Sequence, residues 1–131
     1  MTTSNYDLII LGGGAAAFAA ATEADRRNLR TIIINAGLPL GGTCVNVGCV
    51  PSKHLLALGK NLHHPAHPDF PSVEAVTPSF DFARAMADKD ALVKALRQQN
   101  YQEVLDSFSH VDFLEGRGKP IGVSNCSRTM A

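Results

Sequence analysis

The sequence predicts an α/β fold, because short apolar segments alternate with helical ones along its first third. Residues 6–11 form an apolar run rich in Leu and Ile, the composition of a strand buried on both faces of a parallel sheet. An Ala-rich helical segment follows to about Leu29, and residues 31–34 form a second apolar run. Strand, helix and strand therefore succeed one another in the order of a βαβ unit.

A glycine-rich loop joins the first strand to the helix and matches the pattern G-x-G-x-x-G/A. Gly12 allows the tight turn, Gly14 lets the backbone approach a pyrophosphate, and Ala17 keeps the helix close to the strand. Ala16 lies in the same first helical turn, where free N–H groups attract negative charge. The loop predicts a Rossmann-like dinucleotide-binding fold, and the alternative is a Gly-rich turn without a nucleotide.

The second strand ends at Asn35, where dinucleotide-binding units usually place an acidic residue on the ribose hydroxyls. Asn can still form a hydrogen bond to a hydroxyl, but it has no charge, so we expect weaker binding of an adenosine. Gly37 and Gly42 belong to the turn that follows, and both are candidate cofactor-binding positions.

Residues 41–53 contain two cysteines separated by four residues within a Gly-rich segment. We expect a helix from residue 43 to about residue 62, with Thr43 as its N-cap and a dipole that favours thiolates over thiols. A bridge between Cys44 and Cys49 requires a distorted first turn, for which Gly48 supplies the backbone freedom. A structural disulfide and a zinc pair are the alternatives, although no second pair of zinc ligands follows.

With the glycine loop upstream, this cysteine segment resembles the redox-active disulfide motif of the flavin-dependent pyridine nucleotide–disulfide oxidoreductases. The resemblance implies an FAD-binding domain, with Cys44 as the thiol that exchanges with substrate and Cys49 as the thiol beside the flavin. It also implies that Thr43 and Lys53 lie near the cofactor, and that Gly118 touches the adenine through its backbone.

The spelling of residues 45–53 is most similar to the mercuric reductase branch of this family. That branch implies electron transfer from NADPH to FAD, then to Cys44–Cys49, then to Hg²⁺ held transiently by the two cysteines, since soft sulfur ligands suit a soft metal ion. The alternatives are a fragment similar to dihydrolipoamide dehydrogenase or glutathione reductase, and a non-catalytic remnant that binds FAD or a soft metal.

The remaining chain divides into a histidine- and proline-rich stretch, a helical stretch and a strand. Residues 63–71 are expected to form a solvated loop, although their three histidines could bind a metal. Residues 80–108 follow helical spacing and residues 111–115 are a strand. Residues 119–131 form an off-pattern tail, whose polar sequence replaces the hairpin expected from the resemblance.

Domain organisation follows from the same resemblance: residues 1–118 are the N-terminal part of the FAD-binding domain, and the NAD(P) and dimerisation domains are absent. The chain alone is therefore not expected to turn over. In a doubly wound sheet the first strand is central, so without its second neighbour an apolar edge would be exposed.

Composition limits the classes of partner. The 131 residues carry 12 Lys and Arg against 12 Asp and Glu, with a pI near 7.0. This balance does not favour nucleic acid or an anionic membrane as a partner. The N-terminus lacks the basic region of a signal peptide, so a cytoplasmic location is expected. A small-molecule or metal-ion substrate and the homodimer of the family remain as expected partners.

Overall fold

The computed structural model describes residues 5–122 and 126–129. It contains an α/β fold, as the sequence predicts. The elements in chain order are β1 Leu8–Leu11, α1 Ala15–Arg26, β2 Thr31–Asn35, α2 Gly42–Asn46, α3 Cys49–Ala66, α4 Phe82–Arg97, a π-helical turn Gln98–Gln102, α5 Glu103–Ser107, β3 Val111–Glu115, β4 Arg117–Pro120 and β5 Cys126–Thr129. Within the described residues, no helix is both long and apolar enough to cross a membrane.

The main sheet is parallel and has the order β1-β2-β3. Its centre is β2, where Ile33 pairs with Ile10 on one side and Phe113 on the other. Thr31 and the three isoleucines that follow it are all buried, as expected of a parallel strand covered on both faces. The predicted second and third strands are thus confirmed, and β2 carries the centre of the core.

The first strand is less buried than predicted. Among the described residues β1 pairs with β2 alone, so it forms an edge of the sheet, and Leu11 is 46% exposed. The expectation of a strand buried on both faces is therefore wrong for β1, because one side has no neighbour. The exposed apolar edge that the sequence predicted is present.

The core lies between the sheet and helices from both halves of the chain. Phe18 and Ala21 of α1 pack on the sheet, and Phe18 makes an edge-to-face contact with Tyr101 at 4.9 Å between ring centroids. Tyr101 lies in the π-helical turn, which joins α4 to α5, where Leu105 is buried. The helix predicted for residues 80–108 is thus confirmed as one helical stretch with a π turn.

The histidine- and proline-rich stretch is more helical than predicted. Helix α3 continues through His63 and His64 to Ala66, so the loop begins at His67 rather than at His63. Pro65 lies in the last turn, where its fixed φ is already helical, and its carbonyl accepts a hydrogen bond from Val76 N at 2.8 Å. The predicted loop is therefore wrong for residues 63–66.

The tail also differs from its prediction. Strand β4 pairs antiparallel with β5, and Lys119 lies opposite Ser127. A hairpin pair is therefore present, although the sequence was expected to replace it. The pairing uses backbone groups, so the polar side chains of this segment do not prevent it. Residues 123–125 and 130–131 of the predicted tail lie outside the described part of the chain.

The position of Ile33 predicts a large effect on stability. Its side chain is fully buried at the centre of the sheet, so Ile33→Ala should lower the free energy of unfolding by about 3 kcal/mol. The same substitution at Ile121, which is 65% exposed, is the control and should change it by less than about 0.5 kcal/mol. Urea unfolding followed by circular dichroism measures both, and equal losses would contradict the assigned core.

Candidate functional site

The glycine loop after β1 has the geometry that its sequence predicted. Gly12 has a φ of +108°, which favours glycine, and its N–H donates to Ile34 O at 2.8 Å. Gly14 is the N-cap of α1. Ala16 is exposed in the first turn of α1, whereas Ala17 packs against the core, and this turn has no acidic residue. The first turn of this 12-residue helix therefore presents backbone N–H groups without a competing carboxylate.

The glycine loop and the cysteine segment touch through their backbones. A Cβ on Gly42 would lie 3.0 Å from Gly14 Cα, and Gly42 also has a left-handed φ of +59°. A hydrogen bond from Gly41 N to Gly13 O at 2.8 Å fastens the same two segments. The cysteine segment consequently begins directly against the candidate pyrophosphate site.

Asn35 lies at the carboxyl end of β2, beside the glycine loop. Its side-chain nitrogen donates to Leu38 O at 3.0 Å, and its Oδ1 lies 3.0 Å from the point that a Cβ on Gly13 would occupy. The amide therefore fixes the turn after β2 and leaves Oδ1 as an acceptor near the glycine loop. Gly37, in that turn, has a φ of +85° and open space around it.

A cleft of about 300 Å³ opens beside this turn, between it and the end of α4. Arg97, Gln98 and Gln102 line its helical wall, and Phe113 and Glu115 line its sheet wall. Because Asn35 also lines it, the cleft adjoins the carboxyl end of the sheet, where α/β folds bind nucleotides.

The cysteine segment forms two helices instead of the single helix predicted. Helix α2 ends at Asn46, and α3 begins at Cys49 after a break at Val47 and Gly48. Thr43 is not the N-cap predicted from the sequence, because α2 begins one residue earlier, at Gly42. The N-cap is Gly41, whose φ of +98° favours glycine over a β-branched residue such as Thr. Pro51 does not interrupt a helix, since it lies in the first turn of α3, where a missing N–H costs little.

The helix break brings the two thiols together. On a continuous helix, five residues correspond to about 500° of rotation, so the two side chains would point about 140° apart. Across the break, the two thiols come close enough for Cys49 to raise the pKa of Cys44, and both cysteines are unbridged and exposed. A Cβ on Gly48 would lie 3.0 Å from Thr43 O, so the break requires glycine.

The electrostatics of the pair differ from expectation. The side-chain interaction with Cys49, then desolvation, then the charge of Cys49 raise the pKa of Cys44, while the backbone of Cys49 and then the charge of Lys53 oppose them. The prediction that the helix dipole favours thiolates is therefore wrong for Cys44. Helix α2 has only five residues, and the second sulfur outweighs its dipole. Lys53 is exposed on α3, one turn beyond Cys49.

Asn46 is a residue of the site that sequence reasoning missed. Its side-chain nitrogen donates to the carbonyls of Pro39 at 3.0 Å, Leu40 at 3.1 Å and Gly42 at 2.9 Å. Its Oδ1 accepts a hydrogen bond from Arg97 Nη1 at 3.1 Å. The available signal was an Asn at the end of a short helix, where its side chain competes for nearby backbone groups.

Gly118 lies on β4, across the end of β1. A Cβ there would overlap the side chain of Leu11 and would lie 3.4 Å from Cys126 Sγ. Leu11 directly precedes the glycine loop, so Gly118 lies near the candidate nucleotide site. Its predicted contact with an adenine stays a prediction.

The histidines do not form a centre with three or more protein ligands. The described residues contain no group of three or more His, Cys, Asp or Glu side chains able to hold a metal ion. His63 and His67 instead stack at 4.3 Å between ring centroids.

A glycine loop followed by a pair of thiols agrees with the comparison of the whole sequence, since a family model described as pyridine nucleotide-disulphide oxidoreductase matches residues 6–122. The mercuric reductase of Lysinibacillus sphaericus is 39% identical over 92% of this chain and 22% of its own length. Dihydrolipoyl dehydrogenase 2 of Arabidopsis thaliana mitochondria is 36% identical over 95% of this chain and 24% of its own. The chain belongs to the pyridine nucleotide-disulphide oxidoreductase family.

A solved structure supports the same assignment. The Cu(II) complex of RclA, an HOCl-induced flavoprotein disulfide reductase from Escherichia coli, has a TM-score of 0.72 at 26% identity, over 92% of this chain and 23% of that one. The family uses FAD, and its mercuric reductases also use NADPH. The chain spans about a quarter of the length of these relatives.

The contact between Gly42 and Gly14 predicts that an alanine at position 42 destabilises the protein. Gly42→Ala places a Cβ against backbone at a left-handed φ, so it should lower the free energy of unfolding by about 2 kcal/mol. Gly59→Ala is the matched control: Gly59 lies within α3 with open space around it, and alanine there should raise stability by about 1 kcal/mol. Urea unfolding measures both, and equal shifts would refute the assigned contact.

The raised pKa of Cys44 predicts the pH dependence of its alkylation. Cys49→Ala removes the side-chain interaction and charge that raise this pKa and leaves the opposing charge of Lys53. The rate of Cys44 alkylation by iodoacetamide, followed by peptide mass spectrometry, should therefore rise at lower pH in the variant than in the reduced native chain. An unchanged profile would show that Cys49 does not control the Cys44 proton.

Proposed function

We propose that this chain is the FAD-binding and disulfide-bearing N-terminal part of a mercuric reductase. The observation that carries the proposal is the pair of exposed thiols at the helix break. The cysteine segment that contains this break begins against the glycine loop, at Gly42. Residues 1–118 supply this part, residues 119–131 are its tail, and further domains supply the NADPH site and the homodimer. The similarity to the reductase of Lysinibacillus sphaericus supports this assignment, and we place the protein in the cytoplasm.

The residues of the glycine loop fit a dinucleotide such as FAD. Gly12 and Gly14 leave the N-terminus of α1 without side chains, so a pyrophosphate can approach its N–H groups. Ala16 lies in the same turn, Ala17 packs α1 on the sheet, and Asn35 offers Oδ1 to a ribose hydroxyl.

Three further groups of residues complete the proposed cofactor site. Gly37 and Gly42 keep the turn open, while Thr43 and Gly48 position the thiols. Lys53 and Gly118 lie at the flavin and adenine ends. When bound, FAD supplies a pair of electrons to the disulfide.

The chemistry of the two sulfurs suits a soft metal ion. Reduction of the Cys44–Cys49 disulfide consumes two electrons and two protons and yields two thiols. Binding of Hg²⁺ by both sulfurs releases two protons, because the thiolate is the metal ligand. Two electrons that originate from NADPH then convert the bound Hg²⁺ to Hg⁰ and leave two thiolates. Cys44 loses its proton late in this sequence, because its pKa is raised.

A dihydrolipoamide dehydrogenase is the second candidate. The similarity to the Arabidopsis thaliana enzyme extends over 95% of this chain, so it covers the glycine loop and both cysteines. In that case Cys44 would exchange with an organic dithiol rather than bind Hg²⁺. The two candidates share the cofactor, and they differ in the substrate that reacts with the exposed sulfurs, Hg²⁺ or an organic dithiol.

The absorption spectrum of the full chain tests this proposal. After refolding with excess FAD and desalting, we expect retained flavin bands, and on partial reduction a long-wavelength band from a Cys49 thiolate against the flavin. Cys49→Ser should abolish the long-wavelength band and keep the flavin bands, whereas Cys44→Ser should keep both. In a Cys126→Ser variant that keeps Cys44 and Cys49, one equivalent of Hg²⁺ should remove the long-wavelength band. A colourless protein would refute the flavin site.

A further inference from the structure

We infer that Asn46 and Arg97 are positioning residues that set the redox equilibrium of the Cys44–Cys49 pair. We call the two residues together the Asn46–Arg97 clamp. The inference deepens the proposed function, since it assumes that these thiols are a redox couple. The observation behind it is a half-buried network of hydrogen bonds at the helix break, in which neither residue is itself a reacting group.

Asn46 occupies the position that controls the break. It is the last residue of α2, two residues after Cys44 and three before Cys49. Its two N–H hydrogens face three carbonyl oxygens, all within 3.1 Å. Two of these carbonyls belong to the loop before α2, and the third belongs to Gly42 at the start of α2. The side chain thus ties the last turn of α2 to the segment from which the helix begins.

Arg97 connects this network to helix α4. It is the last residue of α4, and its Nη1 donates to Asn46 Oδ1 at 3.1 Å. Both side chains are partly buried, which limits competition from water. A charged donor also strengthens the bond and polarises the amide, so that its N–H groups become better donors to the three carbonyls. Arg97 therefore holds Asn46 in the orientation that closes the loop.

The clamp matters for the disulfide because α3 has few other restraints. None of the 18 residues of α3 is buried, and Leu56 is 66% exposed. The position of Cys49 consequently depends on the short connection from Asn46 and on packing against α2 and α4. Loss of the clamp would loosen α2 against α4, and α3 packs on both of these helices. The effective concentration of one thiol at the other would therefore fall.

The predicted quantity is the equilibrium constant of a balanced exchange. Oxidised glutathione accepts two electrons from the thiols of Cys44 and Cys49, the disulfide forms, and two molecules of reduced glutathione carry away the two protons. A looser helix break does not change the free energy of the glutathione couple, but it raises the free energy of the protein disulfide relative to the two thiols. The constant should therefore fall when either residue of the clamp is removed.

The test is a redox titration of the full chain in glutathione buffers, without flavin or metal, in a Cys126→Ser background. Acid quenching, alkylation and peptide mass spectrometry give the fraction of Cys44–Cys49 disulfide. Asn46→Ala should lower the equilibrium constant about tenfold, which corresponds to about 30 mV for a two-electron couple. Arg97→Met should lower it about threefold, which is about 14 mV, and Arg97→Lys should restore it to within twofold of the native value.

Asn61→Ala is the matched control, because Asn61 is exposed on α3 and its side chain bonds only to the carbonyl of Ala57 among the described residues. It should leave the constant unchanged. If Asn46→Ala does not fold, Arg97→Met and Arg97→Lys decide the question. A clamp variant that loses thermal stability yet keeps the native equilibrium constant would overturn the inference. Because the titration contains neither FAD nor Hg²⁺, its failure is distinct from failure of the spectroscopic test of function.

Discussion

The rest of the site depends on one constraint, the close approach of two glycine backbones at Gly14 and Gly42. A Cβ on Gly42 would lie 3.0 Å from Gly14 Cα, so neither loop could approach the other with an ordinary residue at position 42. The contact fixes the start of α2 against the N-terminus of α1. The contact therefore fixes the distance between a ligand bound at the glycine loop and the thiols carried by α2 and α3.

The apolar core supports only one side of this arrangement. Strand β2 and helix α1 contain most of the buried residues other than glycine in the described part of the chain, whereas α3 contains none and β1 has an exposed edge. Helix α3 has no buried residue, and the side chain of Asn46 fixes α2, the helix directly before it, through hydrogen bonds to the preceding loop and to Arg97 of α4. Hydrogen bonds are directional, so these bonds define the position of α2 against its preceding loop and α4 more narrowly than apolar packing alone would.

The sequence predicted the features that follow from local patterns, and it missed those that depend on distant contacts. The apolar runs gave β2 and β3, and the glycine spacing gave the loop at Gly12 and Gly14. The helix break was anticipated only as a distortion, because its cause is the contact of Gly48 with the backbone at Thr43 O, which a sequence pattern does not show. Arg97 lies 51 residues from Asn46, so no short pattern could connect the two.

The proximity of the second cysteine changes the acidity of Cys44. The side-chain interaction with Cys49 raises the pKa of Cys44, so Cys44 keeps its proton under conditions in which an isolated thiol would begin to lose it. Since the thiolate is the reactive form of a cysteine, the raised pKa slows both exchange and oxidation at the exposed Cys44 thiol.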